Sequence, residues 1–203
     1  ANENNVQYHE IKVNQRVPKL TTGCGTYGDP YAITKASELI AVADYINTRS
    51  AVDGWEVTIT ADQSQLCQRR NGGSTDKEIT YVYKQANASS KKWEKKTGDT
   101  TDSKITLDED TMHTYLQSAY YSIEPVDDKG ESTGTLELDT ASFQGLGNKS
   151  NPFRGVIVGD LGKQQATISI NNTGSLMGLI PYSYGSVVKN LKVVYQSGIS
   201  AIR

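Results

Sequence analysis

Histidine and cysteine are the scarcest chemistry-bearing residues in this 203-residue chain, with two of each. His9 and His113 lie far apart and share no H-x-x-x-H spacing, which argues against a histidine metal centre or a Ser-His-Asp triad. Cys24 and Cys67 are too few for a four-ligand zinc site, and neither has a C-x-x-C partner. No apolar run nears the ~20 residues of a membrane-spanning helix; the longest is Leu39-Ile40-Ala41-Val42-Ala43. A basic n-region followed by an apolar h-region is missing from the first residues, so any secretion signal is expected to have been removed. An excess of one charge is missing as well: 21 basic against 23 acidic residues leave a net charge of −2. That balance supplies no global field to attract nucleic acid or an anionic membrane. Phenylalanine and tryptophan number two each against 12 tyrosines, a supply that favours half-wet sheet faces over a thick oily core.

What is present reads as many short strands and few helices. Val6, Tyr8, Ile11 and Val13 form an alternating stretch broken by Pro18, an edge strand or extended arm. Thr34 as N-cap, Glu38 in the first turn, and Ala36, Leu39, Ile40, Ala43 and Ile46 at spacings of three and four predict a helix with one dry face. After an Asp53-Gly54 turn, Trp55, Val57 and Ile59 alternate with polar residues as a strand, and residues 78–84 repeat the pattern. Residues 87–104 hold almost no apolar side chain except Trp93 and read as a protruding polar loop. Thr106 and Glu109 form a capping box before a second amphipathic helix bearing Met112, Tyr115, Leu116 and Ala119, with His113 on its wet side. From Tyr121 onward, short β runs are separated by Gly, Asn and Pro. The pair Ile168 and Ile170 returns as Leu191 and Val193, a solenoid-like recurrence. Periodicity alone leaves a solenoid and a β-sandwich or barrel equally open.

Two segments resemble a known family. Gly28-Asp29-Pro30-Tyr31-Ala32-Ile33-Thr34, running on through Leu39 to Ala43-Asp44-Tyr45-Ile46-Asn47 and Trp55 to Asp62, looks like an entry helix and strand. Phe143-Gln144-Gly145-Leu146-Gly147, Asn151-Pro152-Phe153-Arg154-Gly155-Val156-Ile157-Val158-Gly159 and Gly178-Leu179-Ile180 through Asn190-Leu191-Lys192-Val193 look like one coil. Both are similar to adhesin-like surface proteins of Gram-positive and gut bacteria, built on right-handed parallel β-helices with GLUG-type repeats. The resemblance implies a mainly β fold, the N-terminal portion of such a β-helix with a capping helix, with a β-sandwich as the alternative. It divides the chain into an arm and capping segment at 1–62, an inserted or lateral region at 63–118, and coils at 119–203. The coils are expected to continue beyond Arg203, because the best coil match lies at the very end with no cap.

The resemblance also implies an exported, extracellular module at the cell surface that is not an enzyme, needs no cofactor, and meets a host or cell-surface protein or glycan and further coils of its own polypeptide. A polysaccharide-active enzyme on a β-helix and a carbohydrate-binding domain are the rival functions. Export favours a Cys24–Cys67 disulfide over two buried free thiols. The string Gly23-Cys24-Gly25-Thr26-Tyr27-Gly28 is a literal G-x-G-x-x-G, yet Asp29-Pro30 follows where a dinucleotide site needs a helix, so a Gly-rich turn around the disulfide is expected. Asp108-Glu109-Asp110 sits where a helix start favours negative charge. Candidate ligand contacts are Trp93, within the basic run Lys91-Lys92-Trp93-Glu94-Lys95-Lys96, and Tyr182 and Tyr184 beside Gly185 as a sugar-stacking platform.

Overall fold

The computed structural model describes residues 17–60, 78–87, 89–96, 107–138, 143–162, 164–171 and 178–196. The fold is mainly β, with three sheets and two helices among these residues. The first sheet joins β1 (Lys19–Leu20), β3 (Glu56–Thr60), β4 (Glu78–Asn87) and β5 (Ser90–Lys95), with β1 parallel to β3 and the other pairs antiparallel. The second is wholly parallel and has the order β10 (Val187–Lys189), β8 (Val156–Val158), β6 (Tyr120–Ile123), β2 (Tyr31–Ile33). The third is also wholly parallel, β11 (Leu191–Tyr195), β9 (Ala166–Ile170), β7 (Thr135–Leu138). From β6 to β11 the chain alternates between the second and third sheets, so each strand pairs with the one two elements later. β2 and β6 are neighbours although helix α1 (Ala36–Thr48), β3 to β5 and helix α2 (Glu109–Gln117) intervene in sequence.

The period of two sends one residue of each pair inward, and parallel register stacks those residues in ladders. Tyr31, Tyr121 and Ile157 succeed one another across the second sheet, each at most 1% exposed, and Val188 ends the row at 45%. In the third sheet Leu136 lies beside Ile168 and then Val193, and Leu138 beside Ile170 and then Tyr195. Val193 therefore meets Ile168, and Leu191 meets Ala166, so the expected stacking is displaced by two residues. A slip of two leaves every side chain on its own face, which is why the apolar pattern alone does not reveal it. Asn190 turns the chain between β10 and β11 in a single left-handed residue (φ 49°). The corner below it, Gly159, lies so near that a Cβ there would stand 2.5 Å from the Asn190 carbonyl oxygen. An isolated parallel bridge joins Phe153 and Ser183, in which Phe153 N–H donates to Tyr182 O and Tyr184 N–H to Phe153 O.

Helix α1 forms where its apolar residues share a face, burying Leu39, Val42, Ala43, Tyr45 and Ile46 against β2, β7 and α2. Its N-cap is Lys35 rather than Thr34, and the Glu38 carboxylate reaches back to accept from the backbone N–H of both residues (2.7 and 3.1 Å). Helix α2 is capped by Asp108, which accepts from Thr111 N–H at 2.7 Å. The expected cap Thr106 lies outside the described residues. Asp108 supplies the acceptor the helix start needs, as the acidic run there foreshadows.

Two further sequence expectations change. Residues 90–95, expected within a polar loop, form β5, where Trp93 is buried and pairs with Tyr83 while Lys92 and Glu94 face solvent as an ion pair at 2.7 Å. His113, expected on the wet side of α2, is 2% exposed, with Nε2 2.8 Å from Ile46 O at the end of α1. The tyrosines also go inside: Tyr31, Tyr45, Tyr81, Tyr83 and Tyr121 are among the largest fully buried side chains. Burying a phenol is tolerable when its hydroxyl finds a partner. Tyr31 donates to Thr58 O and Tyr121 to Leu116 O, each at 2.6 Å.

Candidate functional site

Trp93, expected as a ligand contact, is 5% exposed and belongs to an aromatic cluster with Tyr45, Trp55, Tyr83 and His113, between α1, the first sheet and α2. Tyr45 is the hub, and its hydroxyl accepts from Trp93 Nε1 at 3.1 Å. Glu109 borders this cluster, and no donor among the described residues reaches either carboxylate oxygen, both buried. Burial pushes the Glu109 carboxyl above its ordinary value of 4.5, opposed by the nearby Tyr45 hydroxyl and the cations Lys91 and Arg49. His113 moves the other way, below its ordinary 6.5, chiefly through burial.

These shifts have opposite consequences. A carboxyl whose folded pKa is raised destabilises the fold at high pH, and the penalty disappears as pH falls through the raised value to 4.5. A histidine with a depressed pKa removes stability as pH falls through 6.5. Glu109→Gln is therefore expected to melt higher than the parent at pH 8, with the difference vanishing near pH 4.5. Thermal unfolding at the two pH values measures it, and a pH-independent difference would refute the buried-carboxylate argument.

Tyr182 and Tyr184 are 38% and 70% exposed, and the Arg154 guanidinium lies over the Tyr184 ring, 5.0 Å from its centroid. They flank Ser183, which bridges to Phe153. Cys24 is fully buried and disulfide-bonded; Cys67, its expected partner, lies outside the described residues. The glycine-rich string joins β1 to β2 and opens no helix, with Gly23 and Gly25 at φ 93° and 77°. The described residues include no group of three or more His, Cys, Asp or Glu side chains arranged to hold a metal, and no helix long and apolar enough to cross a membrane.

One concavity among the described residues is one that sequence reasoning missed. A hollow of about 610 Å³ lies between the 25–27 turn and the outer side of α2. A second, of about 430 Å³, lies over the outer face of the second sheet, floored by Ser122, Val156 and Val158 and rimmed by Asp160, Lys189 and Asn190. Tyr27 and Tyr120 line both, so the two form one groove. Their rings meet edge to face at 5.8 Å. Tyr27 is 74% exposed, yet its turn is firmly held: Thr26 N–H donates to Asp29 O at 3.2 Å and Asp29 N–H to Thr26 O at 3.1 Å. Among the described lining residues the carboxylates are Asp108, Asp110 and Asp160, and the single cation is Lys189. A hydrogen bond from Thr111 N–H holds the Asp108 carboxyl below its usual range. Asp110 pairs with Arg49 across the helix interface. The one sequence signal for this groove was an aromatic residue set among glycines in 23–28. No family model, curated protein or solved structure matches the chain.

Proposed function

We propose that the chain is a non-catalytic interaction module of an exported bacterial cell-surface protein, built on a capped right-handed parallel β-helix. The observation that carries this reading is the pair of wholly parallel sheets that the chain visits alternately, stacking inward residues in register. A sandwich of hairpins would pair its strands mainly antiparallel, and right-handed crossovers are the rule for parallel strands of one sheet. Helix α1 lies against β2 and β7, where it serves as a cover for the stack. The disulfide at Cys24 supports an oxidising compartment. The module's business is then to present a lateral face, since such a stack supplies a long, rigid and regular flank.

Incubation with a panel of pectate, alginate, xylan and hyaluronan is the test. No release of reducing ends and no unsaturated uronate absorbance is expected. Turnover of any of these by the purified chain would replace the module by an enzyme on the same scaffold.

A further inference from the structure

We infer that the groove over Tyr27 and Tyr120 is a binding site for an uncharged polysaccharide chain, a proposal that rests on the interaction-module reading and names the ligand class. The shape suits a chain ligand. Two hollows of about 610 and 430 Å³ follow one another and share a pair of aromatic rings at their junction. Each falls within the roughly 300–1,000 Å³ of ordinary small-molecule sites, so the groove accommodates several consecutive sugar rings rather than one.

The chemistry narrows the occupant further. Pyranose rings present apolar C–H faces ringed by hydroxyls, and a binding site answers with an aromatic face and flanking hydrogen-bond groups. Here Tyr27 stands exposed on a turn that two backbone hydrogen bonds and the neighbouring disulfide-bonded Cys24 keep in place. A rigid aromatic loses little conformational freedom when a ligand stacks on it. The α2 side supplies Asp108, Thr111 and Thr114, and the far rim supplies Asp160, Lys189 and Asn190, groups that accept from or donate to sugar hydroxyls.

Charge excludes the main competitors. With Asp110 paired to Arg49, Asp108 and Asp160 against one lysine still make an unfavourable surface for uronate or sulfated chains and for nucleic acid, which need cations along their backbone. An extended peptide joins a sheet by pairing with a free strand edge. The floor of this groove is instead made of side chains on the faces of β6 and β8, whose backbones are already paired on both sides.

A glycan array bearing neutral plant, fungal and host-type oligosaccharides, with heparin and polygalacturonate as anionic arms, identifies the probe, and calorimetry with the best neutral hit measures affinity. The parent is expected to bind a neutral glycan. Tyr27→Ala should weaken it about tenfold or more, on the scale of lost aromatic stacking, with an unchanged melting temperature, whereas Tyr27→Phe keeps most of the affinity. Binding to anionic glycans alone, binding to none, or a loss caused by Tyr184→Ala with Tyr27→Ala unaffected would each overturn the assignment. None of those outcomes involves turnover, so failure here leaves the non-catalytic reading to its own test.

Discussion

Tyr45→Ala is expected to cost about 3–5 kcal/mol of folding free energy, the range for removing a large aromatic side chain from a packed core. The side chain is 0% exposed, and four rings surround it: Trp55, Tyr83, Trp93 and His113, with centroids 5.6–6.4 Å away. Three of those rings come from the first sheet and its entry and the fourth from α2, so no single movement closes the hole. The substitution also strands Trp93 Nε1–H, which donates to the Tyr45 hydroxyl and would then be a buried donor without an acceptor. Tyr45→Phe separates the two contributions, because it keeps the ring and loses only the hydroxyl, at about 1–2 kcal/mol. Urea denaturation with an unchanged m-value is the measurement. A loss below 1 kcal/mol for the alanine variant would mean that the cluster is not the keystone between helices and first sheet.

Gly147→Ala should destabilise by roughly 2–5 kcal/mol, the sum of a left-handed backbone cost of about 1–2 and an overpacking cost of about 1–3. Gly147 has φ 88°, and a Cβ there would stand 2.5 Å from Phe153 N and closer still to Tyr182 O. Those two atoms make the hydrogen bond of the lateral bridge (2.9 Å), so the methyl group wedges it apart. Gly130→Ala is the matched control: φ is 87°, and nothing lies within 4 Å of the added carbon. The control should show the backbone cost alone. Equal melting temperatures for the two variants would contradict the bridge argument.

Where the sequence was legible, a single element carried the signal. Leu39, Ala43 and Ile46 mark the buried face of α1 by spacing alone, and Met112 and Leu116 do so for α2. Alternation marks Trp55, Val57 and Ile59 equally well. Trp93 was illegible because polarity averaged over Lys91 to Lys96 hides a period of two in which the inward place is filled once, by the tryptophan. His113 is polar and sits at a helical position that only the approach of α1's carboxyl end makes interior. The groove had least trace of all. Tyr27 and Tyr120 are distant in sequence, and β6 must seat itself beside β2 before they meet. Such a site is a property of strand order, which no local window contains.

The buried phenols bear on a different question, that of uniqueness. In a stack of parallel strands an offset by two residues preserves every inside and outside assignment, so hydrophobicity cannot tell the correct offset from its neighbours. Tyr31 and Tyr121 can. Each hydroxyl has one carbonyl within reach, on Thr58 and Leu116 respectively, and a displaced strand would bury that oxygen with no acceptor, costing about 1–3 kcal/mol per misplaced phenol. Phenylalanine at both positions would fill the same volume and leave the misaligned arrangements competitive. Tyr31 and Tyr121 are thus a means of address: each hydroxyl ties its strand to one place, on β3 and near the end of α2.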